Sequence, residues 1–144
     1  MAFLKLWVDA RRGDRYVDAG QSAEEIIGSA KAGYAAFSWG DPAAAMANMA
    51  DDVEWVVPGN STVSGTYHGK EELGAFWMKL AEKSYTQVAE LFLGDEERVM
   101  VLVHATVAGE SSDRVDILTY RDGKLVKIQN VLDTLFEQRI FGTK

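Results

Sequence analysis

The residues with the most obvious chemistry are two aspartates near the end of the chain, Asp116 and Asp133, set on either side of a hairpin signal. Asp122-Gly123 separates the β-rich runs Arg114 to Tyr120 and Leu125 to Leu132. Asp-Gly between such runs marks a tight hairpin because both residues tolerate positive φ, so both aspartates are expected in one sheet. Two carboxyl groups in a poorly hydrated cavity have raised, coupled pKa values and can pass a proton. From pattern alone the simpler reading is two solvated charges near strand ends.

Other side chains carry two readings each. His104 alternates with Met100, Leu102 and Thr106 on an apolar strand, and either faces a pocket or is a satisfied core histidine. His68 precedes a helix, where it caps or faces solvent. Tyr34, Phe37, Trp55, Trp77 and Phe136 are core aromatics or the lining of a cavity for a flat, hydrophobic ligand. Two histidines without metal-ligand spacing give no reason to expect a metal site. No Gly-Lys-Ser/Thr phosphate cradle and no Gly-x-Ser-x-Gly elbow occurs, and no cofactor is expected.

Composition narrows the function classes. A chain of 144 residues, 47% hydrophobic, has the size of one domain with a real core. A net charge of -7 and a pI near 4.8 disfavour nucleic acid and anionic membrane surfaces as partners. Without cysteine there are no disulfides or thiolate nucleophiles, which fits a reducing compartment. The apolar run Phe3 to Val8 is too short for a signal-peptide core and is followed by charges, so a cytoplasmic location is expected.

The elements that would position these residues follow from periodicity. Ser22-Ala23-Glu24-Glu25 reads as a capping box opening a helix to about Trp39, with Ile26, Ile27, Ala30, Tyr34 and Phe37 on one stripe. Asp41-Pro42 starts a second, short helix through Met49. Val53 to Val57 alternates as a strand, and Ser61 to Gly65 is a loop or irregular strand. A third helix starts near Lys70 and buries Leu73, Phe76, Trp77, Leu80 and Ala81. Everything beyond Ser84 reads as strand: Tyr85 to Leu93, Arg98 to Ala108, Arg114 to Tyr120 and Leu125 to Leu132, an antiparallel meander joined by short turns. Three helices before a long meander is an α+β order, with the helices on one face of the sheet. Residues 1–21 read as an N-terminal extension and 22–144 as the domain.

The acid-led strand Asp52-Val53-Glu54-Trp55, the helix entry Gly65-Thr66-Tyr67-His68-Gly69-Lys70-Glu71-Glu72-Leu73, and Tyr120-Arg121-Asp122-Gly123-Lys124-Leu125 leading to Asp133 resemble the SnoaL-like branch of the nuclear transport factor 2-like superfamily. That branch includes polyketide cyclases and relatives of the ketosteroid isomerases. The resemblance implies a curved sheet wrapped against helices into a cone with a deep pocket, rimmed in part by the His68 loop. It places Asp133 where such cyclases carry a catalytic aspartate, and Asp116 where they carry a histidine. The implied function is a cofactor-independent isomerase or cyclase that binds a hydrophobic carbonyl or polycyclic compound. Asp133 would act as acid or base, and Asp116 as a partly protonated partner that donates to the oxyanion. The alternatives are a non-catalytic binding or assembly domain, and epoxide hydrolase-like or dehydratase activity. A homodimer is expected through the sheet's outer face, with Val99, Val101, Val103, Val107, Val115 and Ile117 as its apolar residues. Phe3 to Val8 would pack on the subunit or cross to its partner, and Arg11 to Gly20 would form a mobile link.

Overall fold

The computed structural model describes residues 16–144, with side chains from residue 23 onward. Helix α1, Tyr16–Ser38, starts a turn and a half before the capping box, so Tyr16 to Gly20 is helix rather than link. The expectations for Phe3 to Val8 and for the start of the link lie outside the described residues. Helix α2, Pro42–Met46, has Asp41 as N-cap, whose side chain accepts from the Ala44 N–H at 3.0 Å. It ends earlier than expected because Met49 already opens strand β1, Met49–Val57. A short strand β2, Gly65–His68, leads into helix α3, Gly69–Ala81, whose Leu73, Phe76, Trp77 and Leu80 are buried at the spacing read from the sequence.

The meander is built from β3 (Thr86–Gly94), β4 (Arg98–Val107), β5 (Glu110–Arg121) and β6 (Lys124–Val131). The hairpin turn has Asp122 and Gly123 at φ 52° and 77°, the geometry Asp-Gly favours. One helix was not expected. The chain after β6 forms α4, Thr134–Phe141, because Asp133 is an N-cap and Phe136 and Ile140 fall at helical spacing. The sheet therefore ends before Asp133, and that aspartate belongs to a helix start rather than to a strand.

The six strands lie in the order β2-β1-β6-β5-β4-β3. All neighbours are antiparallel except β1 and β6. Helix α1 packs on β3 and β4, and α3 on β1 and β2, so one face of the sheet is covered. Register breaks interrupt β1–β6, β3–β4 and β5–β6, and such bulges bend and twist a sheet. In β5–β6 the break lies between Tyr120↔Leu125 and Thr119↔Lys127, leaving Val126 as the extra residue.

Alternation along β4 runs opposite to the expectation for the outer face. Val99, Val101, Val103 and Val107 are buried against the helices, with Leu118 and Tyr120 of β5 and Ile128 of β6 in the same core. Met100, Leu102, His104 and Thr106 point outward instead. A strand apolar on both faces carries no internal sign of which one is covered.

Candidate functional site

A cavity of about 250 Å³ lies between the inner face of the sheet and the helices. Its walls include Tyr34 and Phe37 of α1, Trp55 of β1, Trp77 of α3, and Asp133 and Phe136 at the start of α4. The rings meet edge to face: Phe37 on Trp77 at 4.9 Å between centroids, and Trp55 on Trp77 at 6.0 Å. That geometry suits the ring quadrupoles and leaves a rigid apolar chamber. Polar residues on the same walls include Tyr85, Gln87, Arg114, Asn130 and Glu137.

Three sequence candidates lie elsewhere. His68 occupies the N-cap position of α3, exposed, with Nδ1 3.7 Å from Glu54. His104 is on the outer face, its Nδ1 2.7 Å from Asp113 Oδ1, so it is neither pocket-facing nor core. With Glu90 these two residues bring three possible ligand atoms within 4.8 Å of one another, all exposed, and nothing else among the described residues points to an ion there. Asp116 is on the inner face but behind the cavity wall, fully buried.

Asp116 is the centre of a network. Arg114 lies two residues away on the same face and donates from Nε to Oδ1 at 2.7 Å and from Nη2 to Oδ2 at 3.1 Å. Asn130, directly opposite on β6, donates to Oδ1 at 2.7 Å, and the Tyr34 hydroxyl donates to Oδ2 at 2.5 Å. Every partner is a donor, which leaves Asp116 no hydrogen to give to a ligand. Asn130 in turn accepts from Trp55 Nε1 at 2.8 Å. Arg114 continues the network through Nη1 to the Tyr85 hydroxyl and Nη2 to Gln87 Oε1, and Tyr85 donates to Gln87 at 2.6 Å. Four of its five N–H groups are thus committed, and one Nη1 hydrogen has no partner among the described residues.

The electrostatics follow from burial and this pairing. Burial works against the Arg114 charge, but the Asp116 carboxylate and the Tyr85 hydroxyl outweigh it and raise its pKa further. Burial, then the Asp116 carboxylate, holds the Tyr34 hydroxyl well above the usual tyrosine range. Burial raises Tyr85 as well, against the pull of Arg114. Both phenols stay neutral donors. Burial also pushes the Glu137 carboxyl up to about 7, with Arg114 pulling the other way.

Asp133 is committed differently. It is exposed, and its Oδ1 accepts from the N–H groups of Leu135 at 3.1 Å and Phe136 at 3.0 Å. No hydrogen bond joins it to Asp116. The sequence reading missed Tyr85, Gln87, Arg114, Asn130 and Glu137 as site residues. Arg114 was visible through the Arg114-Val115-Asp116 spacing, since residues i and i+2 of a strand share a face. Glu137 had a signal too, an acid one turn after an N-capping aspartate, had α4 been recognised.

A family model for a SnoaL-like domain matches residues 30–128, so the chain belongs to the SnoaL-like family. Comparison with curated protein sequences found no match. Among solved structures, the fold is shared with an NTF2-like protein from Burkholderia xenovorans, at 28% identity and TM-score 0.71 over 83% of this chain and 97% of that one. It is shared also with TerC, co-crystallised with polyporic acid, at 25% identity and TM-score 0.74 over 83% and 99%. A protein from Xanthomonas campestris provisionally named a polyketide cyclase matches at 20% identity and TM-score 0.66 over 83% and 98%.

Proposed function

We propose that the chain is a small enzyme, needing no cofactor, that binds a hydrophobic carbonyl or polycyclic compound and moves a proton next to its carbonyl. One observation carries this reading: an aromatic cavity whose wall holds a buried cation, Arg114, with an uncommitted N–H, and the carboxyl groups of Asp133 and Glu137. A fixed cation in a poorly hydrated site stabilises an enolate oxygen at no reorganisation cost, and a nearby carboxylate takes the proton. Asp116, Asn130 and Tyr34 hold Arg114 in place. The family resemblance favours Asp133 as acid or base, and Glu137 lines the same wall. An assembly-only domain is the weaker reading, because Trp55, Trp77 and Phe136 line a cavity instead of filling it.

The similarity to TerC makes polyporic acid the first compound to try in a thermal-shift screen, beside hydrophobic ketones. Proton transfer itself is read as deuterium uptake by the bound ketone. Stabilisation and uptake in the wild type, both lost in Arg114→Met, support the proposal; no stabilisation by any of these compounds refutes it.

We further propose a homodimer through the outer face of the sheet. Val88, Leu91, Leu93, Met100 and Val131 are exposed there, beside half-buried Val115 and Ile117. A second copy is the simplest cover for such a patch.

A further inference from the structure

We propose that Glu137 is the group that carries the proton in this pocket, and that Asp133 acts only through it, as the residue that starts α4 and so holds Glu137 on the cavity wall. The inference rests on the proton-transfer reading above and assigns the acid–base role within it.

The two carboxyl groups sit one helical turn apart in opposite circumstances. Asp133 is exposed; its side chain caps α4, and its main-chain oxygen accepts the Glu137 N–H at 3.2 Å. Glu137 is 9% exposed, lines the cavity, and its carboxyl makes no hydrogen bond among the described residues. A buried carboxyl without a partner is a cost to folding, so packing gives no reason for it. A ligand in the cavity would supply the missing partner. The helix is also held firmly: Thr62 N donates to Gly142 O at 2.9 Å, and Lys144 N to Asn60 O at 2.9 Å, tying the chain beyond α4 to the loop after β1.

The surroundings tune the acid. Arg114 and the N-terminal end of α4 favour its charged form, while burial opposes it; Tyr67 and Tyr85 face it as neutral hydroxyls, and Asp133 lies one turn back on its own helix. A carboxyl near neutrality serves as both base and acid.

In the step itself, the Glu137 carboxylate takes a proton from the carbon beside the carbonyl. The C–H electron pair becomes the new C–C double bond, and the carbonyl π pair moves to oxygen, where the free Arg114 N–H meets it. The Glu137 carboxyl then delivers a proton: to the same carbon, after its own proton has exchanged with solvent, which gives isotope uptake, or directly to a conjugated carbon in isomerisation. No electron or atom is left over.

The probe is 2-tetralone in deuterated water, with uptake at its acidic CH2 followed by NMR. Glu137→Gln is expected to slow uptake by at least about 100-fold, the scale of a lost general base. Asp133→Ala is expected to slow it about tenfold or more, and Asp133→Asn, which keeps the cap, to restore most of the rate. In unliganded wild type, the carbon-13 carboxyl signal missing from Glu137→Gln should titrate near 7. Should Glu137→Gln not fold, Glu137→Asp replaces it, with at least about a tenfold loss expected from the withdrawn acid. Uptake in the Glu137 variant within about threefold of wild type, or a loss in Asp133→Asn equal to that of Glu137→Gln, overturns the assignment and leaves the proton-transfer reading standing. Absence of uptake by wild type overturns both.

Discussion

Replacing Asp116 by Asn tests whether the network behind the cavity is an ion pair whose two halves depend on each other. The side chain is fully buried, and the Arg114 side chain is only 12% exposed. Asn keeps one acceptor oxygen but turns an NH2 toward donors, so one Arg114 N–H loses its acceptor together with either Asn130 or Tyr34. Removing one member of a buried pair leaves an uncompensated charge and costs about 3–5 kcal/mol. Against a typical total of about 5–15 kcal/mol, that is a large fraction. Arg114→Met is expected to cost about the same, since it strands the carboxylate. The double variant Arg114→Met with Asp116→Asn removes both charges and keeps one acceptor oxygen for the Tyr34 or Asn130 donor, leaving the other donor and the Tyr85–Gln87 pair to find partners at about 1–3 kcal/mol for each group left unsatisfied. Its cost should therefore fall at least about 3 kcal/mol short of the summed single costs. Urea unfolding at pH 7 with equal m-values reads the cycle. Single costs below about 1 kcal/mol each, adding without coupling, would refute the ion-pair account.

Glu137→Gln should stabilise the unliganded protein in a pH-dependent way. The folded-state pKa of about 7 lies above the ordinary 4.5, so the wild type has its full stability from this group below about 4.5 and loses it as pH rises through 7. The advantage of Gln should thus grow from near zero at low pH to about 3 kcal/mol above neutrality, and a pH-independent difference in urea titrations would contradict this. Sedimentation at micromolar concentration should show a dimer, and Met100→Lys, placing a charge on the exposed outer face, should give a monomer with unchanged circular dichroism; a wild-type monomer rules the dimer out. Gly94→Ala should cost about 2–3 kcal/mol in chemical denaturation because its Cβ would lie 2.2 Å from the Arg98 carbonyl oxygen and 2.8 Å from Val99 Cα. Gly28→Ala, in open space on α1, should instead stabilise by about 0.5–1 kcal/mol.

Local signals read well where one interaction dominates. The Asp122-Gly123 turn and the Leu73, Phe76, Trp77, Leu80 stripe were legible because a turn geometry and a single buried face each leave a fixed spacing. The faces of β4 were not, since Val99, Val101 and Val103 alternate with Met100 and Leu102, and only the placement of the helices decides between them. Helix α4 escaped because its 8 residues follow strands without a break in hydrophobicity, and with it went Glu137 and the true setting of Asp133. Six of the residues singled out from sequence, Tyr34, Phe37, Trp55, Trp77, Asp133 and Phe136, line the cavity. Apart from each other, the partners of the Arg114–Asp116 pair come from Tyr85 and Gln87 at the start of β3, from Asn130 of β6 and from Tyr34 of α1, through pairings distant in sequence.

The single extra residue Val126 governs what the inner face of β6 can offer. Paired one for one from Arg121↔Lys124, with Val126 opposite Thr119, the strands would bring Gln129 opposite Asp116. The slip brings Asn130 there instead, and returns Gln129 to the outer surface. Taking Val126 into the ladder opposite Thr119 would therefore exchange the β6 side chains beyond it between cavity and exterior, changing the polar wall without altering any residue, whereas deleting Val126 would leave Asn130 opposite Asp116. In this sheet the bulge acts as a switch on pocket chemistry: the same β6 residues would present a different wall if the ladder absorbed Val126 instead of leaving it out.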